Sequence, residues 1–247
     1  MLVVVKVGGS VLGGADPWLE EVEAAVRSGQ SVVVVHGGGA AISRAQARLQ
    51  EPVRFVRGQR VTSPAALEVV VEVLSGRVNT ALVAALEARG VPAVGLNGAD
   101  DGLLEADPVP ELGHVGRITG GRARLLQALL HLGLVPVVAP LALDRSRPGQ
   151  VLNCNGDWAA AHVAALAGAD ALVFYTDSGG VRSDPEDPAS VVERLDAATA
   201  RRWMEEGRAH TGMVPKLEAA LFALEAGVGT VRVGRLSAAA GTTIAPI

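Results

Sequence analysis

The chain has 247 residues, 49% of them hydrophobic and 19% charged, with 26 acidic against 22 basic side chains for a formal net charge of −4. That length and apolar fraction suit one large or two small packed domains and exclude a disordered or fibrous chain. The negative balance offers no basic field for nucleic acid or an anionic membrane, and the single cysteine, Cys154, excludes an internal disulfide, so a reducing, cytoplasmic setting is expected.

The opening residues lack a basic leader with a cleavage site, and no apolar run is read as reaching the ~18 residues that cross a bilayer, so neither secretion nor membrane insertion is expected. Residues 2–7 form a β-branched apolar run ended by glycines, and 16–27 place Leu19, Val22 and Val26 on one helical face. The same unit recurs as a strand over 31–35, the run His36-Gly37-Gly38-Gly39, and a helix over 40–49. Thr62-Ser63-Pro64 starts a helix over 64–74, 78–88 continues as helix, and 91–96 is a buried strand. Pro108, Pro110 and Gly113 break 103–118 into a short β-hairpin lying over the domain, after which 122–132 regains helical spacing. Strands over 135–139, 171–176 and 230–233 then alternate with helices over 156–167, 196–206 and 214–226.

Strands apolar on both faces, alternating with helices, predict an α/β fold: a three-layer αβα sandwich with a mainly parallel central sheet. Pro148-Gly149 marks the expected boundary between an N-terminal lobe, 1–150, and a C-terminal lobe, 151–247.

Only two of the 22 basic residues are lysines, Lys6 and Lys216, and both lie beside glycine motifs. An ammonium is a compact point charge and a guanidinium a planar fork, so a lysine kept in an arginine-rich chain suits a place where the fork does not fit. Glycines at the carboxyl ends of parallel strands expose backbone N–H groups where open α/β sheets bind ligands, which makes Gly8-Gly9 and Gly37-Gly38-Gly39 candidate anion sites. Asp157, on the loop Asn153-Cys154-Asn155-Gly156-Asp157, either caps the following helix or organises nearby ammonium groups. Arg60 is either a fork for a substrate carboxylate or a surface arginine. The segment 175–181 is either a ribose or adenine contact or ordinary turn chemistry.

Other chemistries lack their signatures. Ile42 occupies the third required position of a dinucleotide fingerprint, no Walker or protein-kinase motif is present, and Cys154 has no clear histidine partner for nucleophilic work. The five histidines show no paired metal-ligand spacing, so no protein-bound metal is expected and any magnesium comes with nucleotide phosphates.

In order, Lys6-Val7-Gly8-Gly9-Ser10, His36-Gly37-Gly38-Gly39, Gly58-Gln59-Arg60-Val61-Thr62, Asn153-Cys154-Asn155-Gly156-Asp157, Thr176-Asp177-Ser178-Gly179-Gly180 and Gly212-Met213-Val214-Pro215-Lys216 resemble the amino acid kinase family. Val78-Asn79, Gly95-Leu96-Asn97-Gly98 and Leu112-Gly113-His114-Val115-Gly116 extend the likeness over nearly the whole chain. The resemblance implies ATP-dependent phosphorylation of the side-chain carboxylate of N-acetyl-L-glutamate, an arginine-biosynthesis step. Lys6 and Lys216 would stabilise the phosphoryl group, Gly9, Gly38 and Gly39 would donate N–H bonds, and Asp157 would orient the lysines. Arg60 and Asn153 would hold the acyl amino acid. Asp177, Ser178, Gly179, Gly180, Val181, Gly212 and Met213 would bind ATP, with Mg2+ bridging its phosphates. An ionised carboxylate needs no general base, which fits the missing catalytic histidine.

The resemblance further implies a homodimer. Lys6 arrives too early for the extra N-terminal helix of arginine-inhibited relatives, so feedback by arginine is not expected. The rival readings are a kinase of carrier-protein-bound α-aminoadipate, a non-catalytic nucleotide or amino acid sensor, and a nicotinamide oxidoreductase.

Overall fold

The computed structural model describes residues 1–8, 17–56, 58–176, 179–184, 186–209, 212–237 and 241–245. The first half runs β1 (Leu2–Val7), α1 (Pro17–Arg27), β2 (Ser31–His36), α2 (Gly39–Arg48), the two-residue strands β3 (Phe55–Val56) and β4 (Gln59–Arg60), and α3 (Pro64–Val71). A π-helical stretch, Glu72–Val78, leads into α4 (Asn79–Glu87), followed by β5 (Ala93–Asn97), β6 (Glu105–Pro108), β7 (Val115–Gly120) and α5 (Arg124–His131). Then come β8 (Val135–Ala139), β9 (Leu141–Asp144), β10 (Val151–Cys154), α6 (Gly156–Ala167), β11 (Ala171–Tyr175) and β12 (Arg194–Asp196). The chain closes with α7 (Ala197–Glu205), α8 (Val214–Glu225), β13 (Thr230–Gly234) and β14 (Gly241–Ala245).

Eight strands form one sheet in the order β12-β14-β13-β11-β1-β2-β8-β5, parallel at every pairing except β13 with β14. β6, β7, β9 and β10 close a separate small barrel. The expected hairpin over 103–118 is there as the antiparallel pair β6 and β7, but the strands that complete the barrel, β9 and β10, have no strong apolar run of their own to announce them.

Valine-rich strands are buried on both faces because helices cover both. Alternation sends Val4, Val33, Val35, Leu172 and Phe174 to the face packed by α6 and α8, through Ala160, Val163, Leu217 and Ala220. Val3, Val5, Val7, Val32 and Val34 turn to the other face, against Trp18 and Leu19 of α1 and Val70, Leu74, Leu82 and Leu86 of the α3–α4 run. The same alternation decides two later points. Lys6 follows Val4 on the α6 face, and His36 follows Val32 and Val34 on the α3–α4 face.

The helical stretches read over 64–74 and 78–88 lie on one continuous run, Pro64–Glu87, joined through the π stretch that contains Ser75-Gly76. This 24-residue helix contains an 18-residue window of mean hydropathy 1.6 and is long and apolar enough by composition to cross a membrane, although Glu68, Glu72 and Arg77 interrupt its apolar run. Its inner side, from Ala66 to Leu86, is part of the core against the sheet.

Candidate active site

Parallel strands β1, β2 and β11 end on one edge of the sheet, and α6 begins there. Asn155 caps α6, its Oδ1 accepting the N–H groups of Asp157 at 2.8 Å and Trp158 at 3.2 Å. The cap is therefore Asn155, not Asp157, which frees the Asp157 carboxylate for the lysines. Lys6 Nζ lies 2.7 Å and Lys216 Nζ 3.0 Å from the same oxygen, Asp157 Oδ1, with all three side chains nearly buried. Lys216 reaches it from the first turn of α8 with its ammonium 5.0 Å from the centre of the Phe174 ring. Burial pushes the Asp157 carboxyl up, but the two lysines outweigh it and hold it below the usual carboxylate range. Lys216 is lowered, first by burial and then by Lys6, with Asp157 opposing.

Beside this cluster is a cavity of about 240 Å3 lined by Lys6, Gly37, Gly38, Gly39, Arg60, Asn153, Asn155, Gly156 and Asp157, with Phe55 and Gln59 among its further walls. The Gly37 N–H is taken by Val7 O, whereas those of Gly38 and Gly39, at the N-terminus of α2, meet no acceptor among the described residues. Two free donors at a helix N-terminus make an anion cradle.

Arg60 is 8% exposed. Its guanidinium donates to Gln46 Oε1, to Gly39 O at 3.0 Å and to Ser43 Oγ at 2.7 Å, and stacks over Phe55 at 4.8 Å. All these partners are neutral, and no carboxylate forms an ion pair with it among the described residues. A buried cation without a counter-ion is costly unless a ligand brings one. Arg60 is therefore not a surface arginine. Asn153, on β10, lines the same cavity and donates from Nδ2 to Thr62 Oγ1 at 3.2 Å. Among the described residues, the cavity and the cluster beside it hold three cations, Lys6, Lys216 and Arg60, and one carboxylate, Asp157.

Cys154 lines the cavity too, but burial pushes its thiol up to about 12, which suits a packing residue and not a nucleophile. Gly9, Asp177 and Ser178 lie outside the described residues. Gly179, Gly180, Val181, Gly212 and Met213 do not line the cavity. Val181 is buried, donating its N–H to Thr242 Oγ1 at 2.8 Å on the segment after β11, and Met213 precedes α8, three residues from Lys216. The sequence reading missed Gln46 and Ser43, which fix Arg60. The one trace was a glutamine on the buried Ile42 face of α2, where an apolar residue was due.

A family model described as the amino acid kinase family matches residues 1–235. The acetylglutamate kinase of Geobacillus kaustophilus is 45% identical over 225 residues, which cover 90% of this chain and 85% of that protein. That of Methanopyrus kandleri is 44% identical over 232 residues, 91% of each chain. Among solved structures, smu.665 from Streptococcus mutans superposes with a TM-score of 0.88 at 30% identity over 98% of both chains. An isopentenyl phosphate kinase structure, at TM-score 0.68 and 20% identity, shares the fold.

Proposed function

Since this chain belongs to the amino acid kinase family, we propose that it transfers the γ-phosphoryl group of ATP to the side-chain carboxylate of N-acetyl-L-glutamate, as an acetylglutamate kinase of arginine biosynthesis. The observation that carries the reading is the convergence of the chain's only two lysines on one oxygen of Asp157 beside the free Gly38 and Gly39 donors.

In this reading the carboxylate oxygen attacks the γ-phosphorus while the bond to the β,γ-bridging oxygen breaks, giving an acyl phosphate and ADP. The nucleophile is already ionised, so no proton has to move. What the transfer needs is alignment and positive charge around crowded oxygens. Lys6 and Lys216 supply the charge from two directions, and Asp157 keeps the mutually repelling ammonium groups in place. Gly9, Gly38 and Gly39 donate to phosphoryl oxygens. Arg60 takes the α-carboxylate of the acceptor and Asn153 its amide. Asp177, Ser178, Gly179, Gly180, Val181, Gly212 and Met213 hold the adenosine side on the C-terminal lobe, 151–247, and the acyl amino acid sits on the lobe 1–150, with Asn153 reaching it from the first strand of the other lobe.

No group of three or more His, Cys, Asp or Glu side chains gathers among the described residues, and Asp157 is engaged by two ammonium groups. The divalent cation, Mg2+ in our reading, belongs with the ATP phosphates. We further assign a cytoplasmic homodimer without nucleic acid or membrane partners.

The test is hydroxylamine trapping of acyl phosphate with ATP and, in parallel, N-acetyl-L-glutamate, free glutamate or α-aminoadipate. Trapped product with N-acetyl-L-glutamate alone is the expected result. No product with any acceptor refutes the reading in favour of a carrier-bound substrate or a sensor.

A further inference from the structure

His36 and Asn79 are buried, outside the cavity, and have no part in the scheme above. Asn79 is the first residue of α4, directly after the π stretch, and its side chain reaches strands β5 and β8. Its Nδ2 meets three atoms: Val137 O at 2.8 Å, Leu96 O at 3.2 Å and His36 Nε2 at 3.1 Å. Two of the three are carbonyl oxygens, which can only accept, so the amide nitrogen must face them. An NH2 group has two protons, so its three neighbours share them, and because an amide nitrogen cannot accept, Nε2 faces it with a lone pair and not with a second N–H. In a neutral imidazole this puts the proton on Nδ1, which lies 3.0 Å from Gly37 O and donates to it. Burial lowers the His36 imidazole to about 4, which keeps it neutral. Gly95 leaves room for the arrangement, since a Cβ there would lie 2.0 Å from Asn79 Oδ1.

The consequence falls on the next peptide unit. In a planar trans peptide the carbonyl of Gly37 and the N–H of Gly38 point in opposite directions, and the described chain has no cis bond. A proton donor holding Gly37 O on the buried side therefore aims the Gly38 N–H away from it, toward the cavity. The Gly37 N–H is tied to Val7 O, so both ends of this unit are fixed. We infer that His36 is a positioning residue for phosphoryl transfer: through the tautomer that Asn79 imposes, it orients the Gly37–Gly38 peptide so that the Gly38 N–H faces the transferred group. The inference rests on the kinase reading above.

Two substitutions separate the two nitrogens. His36→Asn places an amide donor near the Nδ1 position and gives up the Nε2 contact, whereas His36→Gln reaches toward Asn79 and gives up the donor to Gly37. With 15N-labelled histidine, the resonance missing from either variant identifies His36 in the wild type. The expected results are an Nδ1-protonated tautomer, a loss of about 100-fold in kcat for His36→Gln with KM for both substrates nearly kept, and recovery of most of that loss in His36→Asn. An Nε2-protonated tautomer, wild-type kcat in His36→Gln, or equal losses in the two variants would overturn the inference. If either variant fails to fold, the tautomer in the wild type still decides the Asn79–His36–Gly37 link. Absence of turnover in the wild type with the Nδ1 tautomer present would discard the kinase reading alone.

Discussion

Replacing Asp157 with asparagine tests the centre most directly, because it keeps shape and removes only charge. In the native site, Lys6 and Lys216 share one carboxylate oxygen at 2.7 and 3.0 Å. Two nitrogens so placed are about 4–6 Å apart, where like charges repel by about 3–4 kcal/mol at an effective dielectric of ~20. Removing the shared anion leaves that repulsion uncompensated, in the range of about 3–5 kcal/mol found when one partner of a buried pair is deleted. At ~2–4 °C per kcal/mol for a chain of this size, Asp157→Asn lowers Tm by about 10 °C.

The charge argument also gives a sign that a packing defect would not. MgATP brings phosphate anions to the stranded lysines, so it raises the Tm of the variant more than that of the wild type. It does not restore turnover, because the ammonium groups are no longer held in line, and kcat falls by about 100–1000-fold. The acid limb moves as well. The native carboxyl is held below its usual range, so its stabilisation is complete above the ordinary carboxylate pKa and is lost as pH falls through the lowered value, a slope that the asparagine variant lacks. Thermal unfolding with and without MgATP, together with hydroxylamine trapping, measures all three. A variant within about 2 °C of the wild type, equally stabilised by MgATP, would refute the reasoning.

Lys216→Arg keeps the charge but puts a planar fork where an ammonium fits between Asp157 and the Phe174 ring; it should fold and lose about 100-fold in kcat, and wild-type turnover would remove Lys216 from the mechanism. Gly39→Ala meets nothing within 4 Å, so Tm should hold while kcat/KM for the acceptor falls as the methyl enters the cavity. Gly38→Ala, by contrast, places a Cβ 2.5 Å from Cδ2 of buried Leu74 and should cost about 1–3 kcal/mol in denaturant unfolding; equal Tm values for the two would contradict this division. His36 is lowered from 6.5 to about 4, so the unfolded chain binds its proton first: stability is complete above pH 6.5 and falls by about 3 kcal/mol as pH drops toward 4. The His36→Asn variant should show a shallower fall across that window, and an unchanged slope would rule out His36 as its source.

Most of what the sequence made legible is one-dimensional by nature. Runs such as 2–7 and 31–36 are apolar on both faces, and a parallel strand covered on both sides is the structure that satisfies them. The rarity of lysine marked Lys6 and Lys216, and the glycine runs marked the strand ends, because both signals are carried by residue type and by immediate neighbours. Strands β9 and β10 escaped, since short strands of a small barrel are set by closure with β6 and β7 and not by their own composition. Tertiary packing also decides the join after Leu74: Ser75-Gly76 weakens a helix locally, but the sheet beneath holds the run together through residues on either side of it.

The links that position the site were the least legible, and their chemistry explains why. Arg60 meets Gln46 across 14 residues and Asn79 meets His36 across 43, so each pair exists only once the fold has formed. Each nonetheless left a trace. Gln46 lies one turn from buried Ile42, and His36 continues the face of Val32 and Val34, so in both places a polar group sits where the pattern calls for an apolar one. A buried polar side chain must find a partner, and a residue that breaks the pattern without breaking the element declares that its partner comes from elsewhere in the chain. Here Gln46 bonds Arg60 and His36 bonds the Gly37 carbonyl, so both pattern-breaking residues lie directly behind residues that line the cavity.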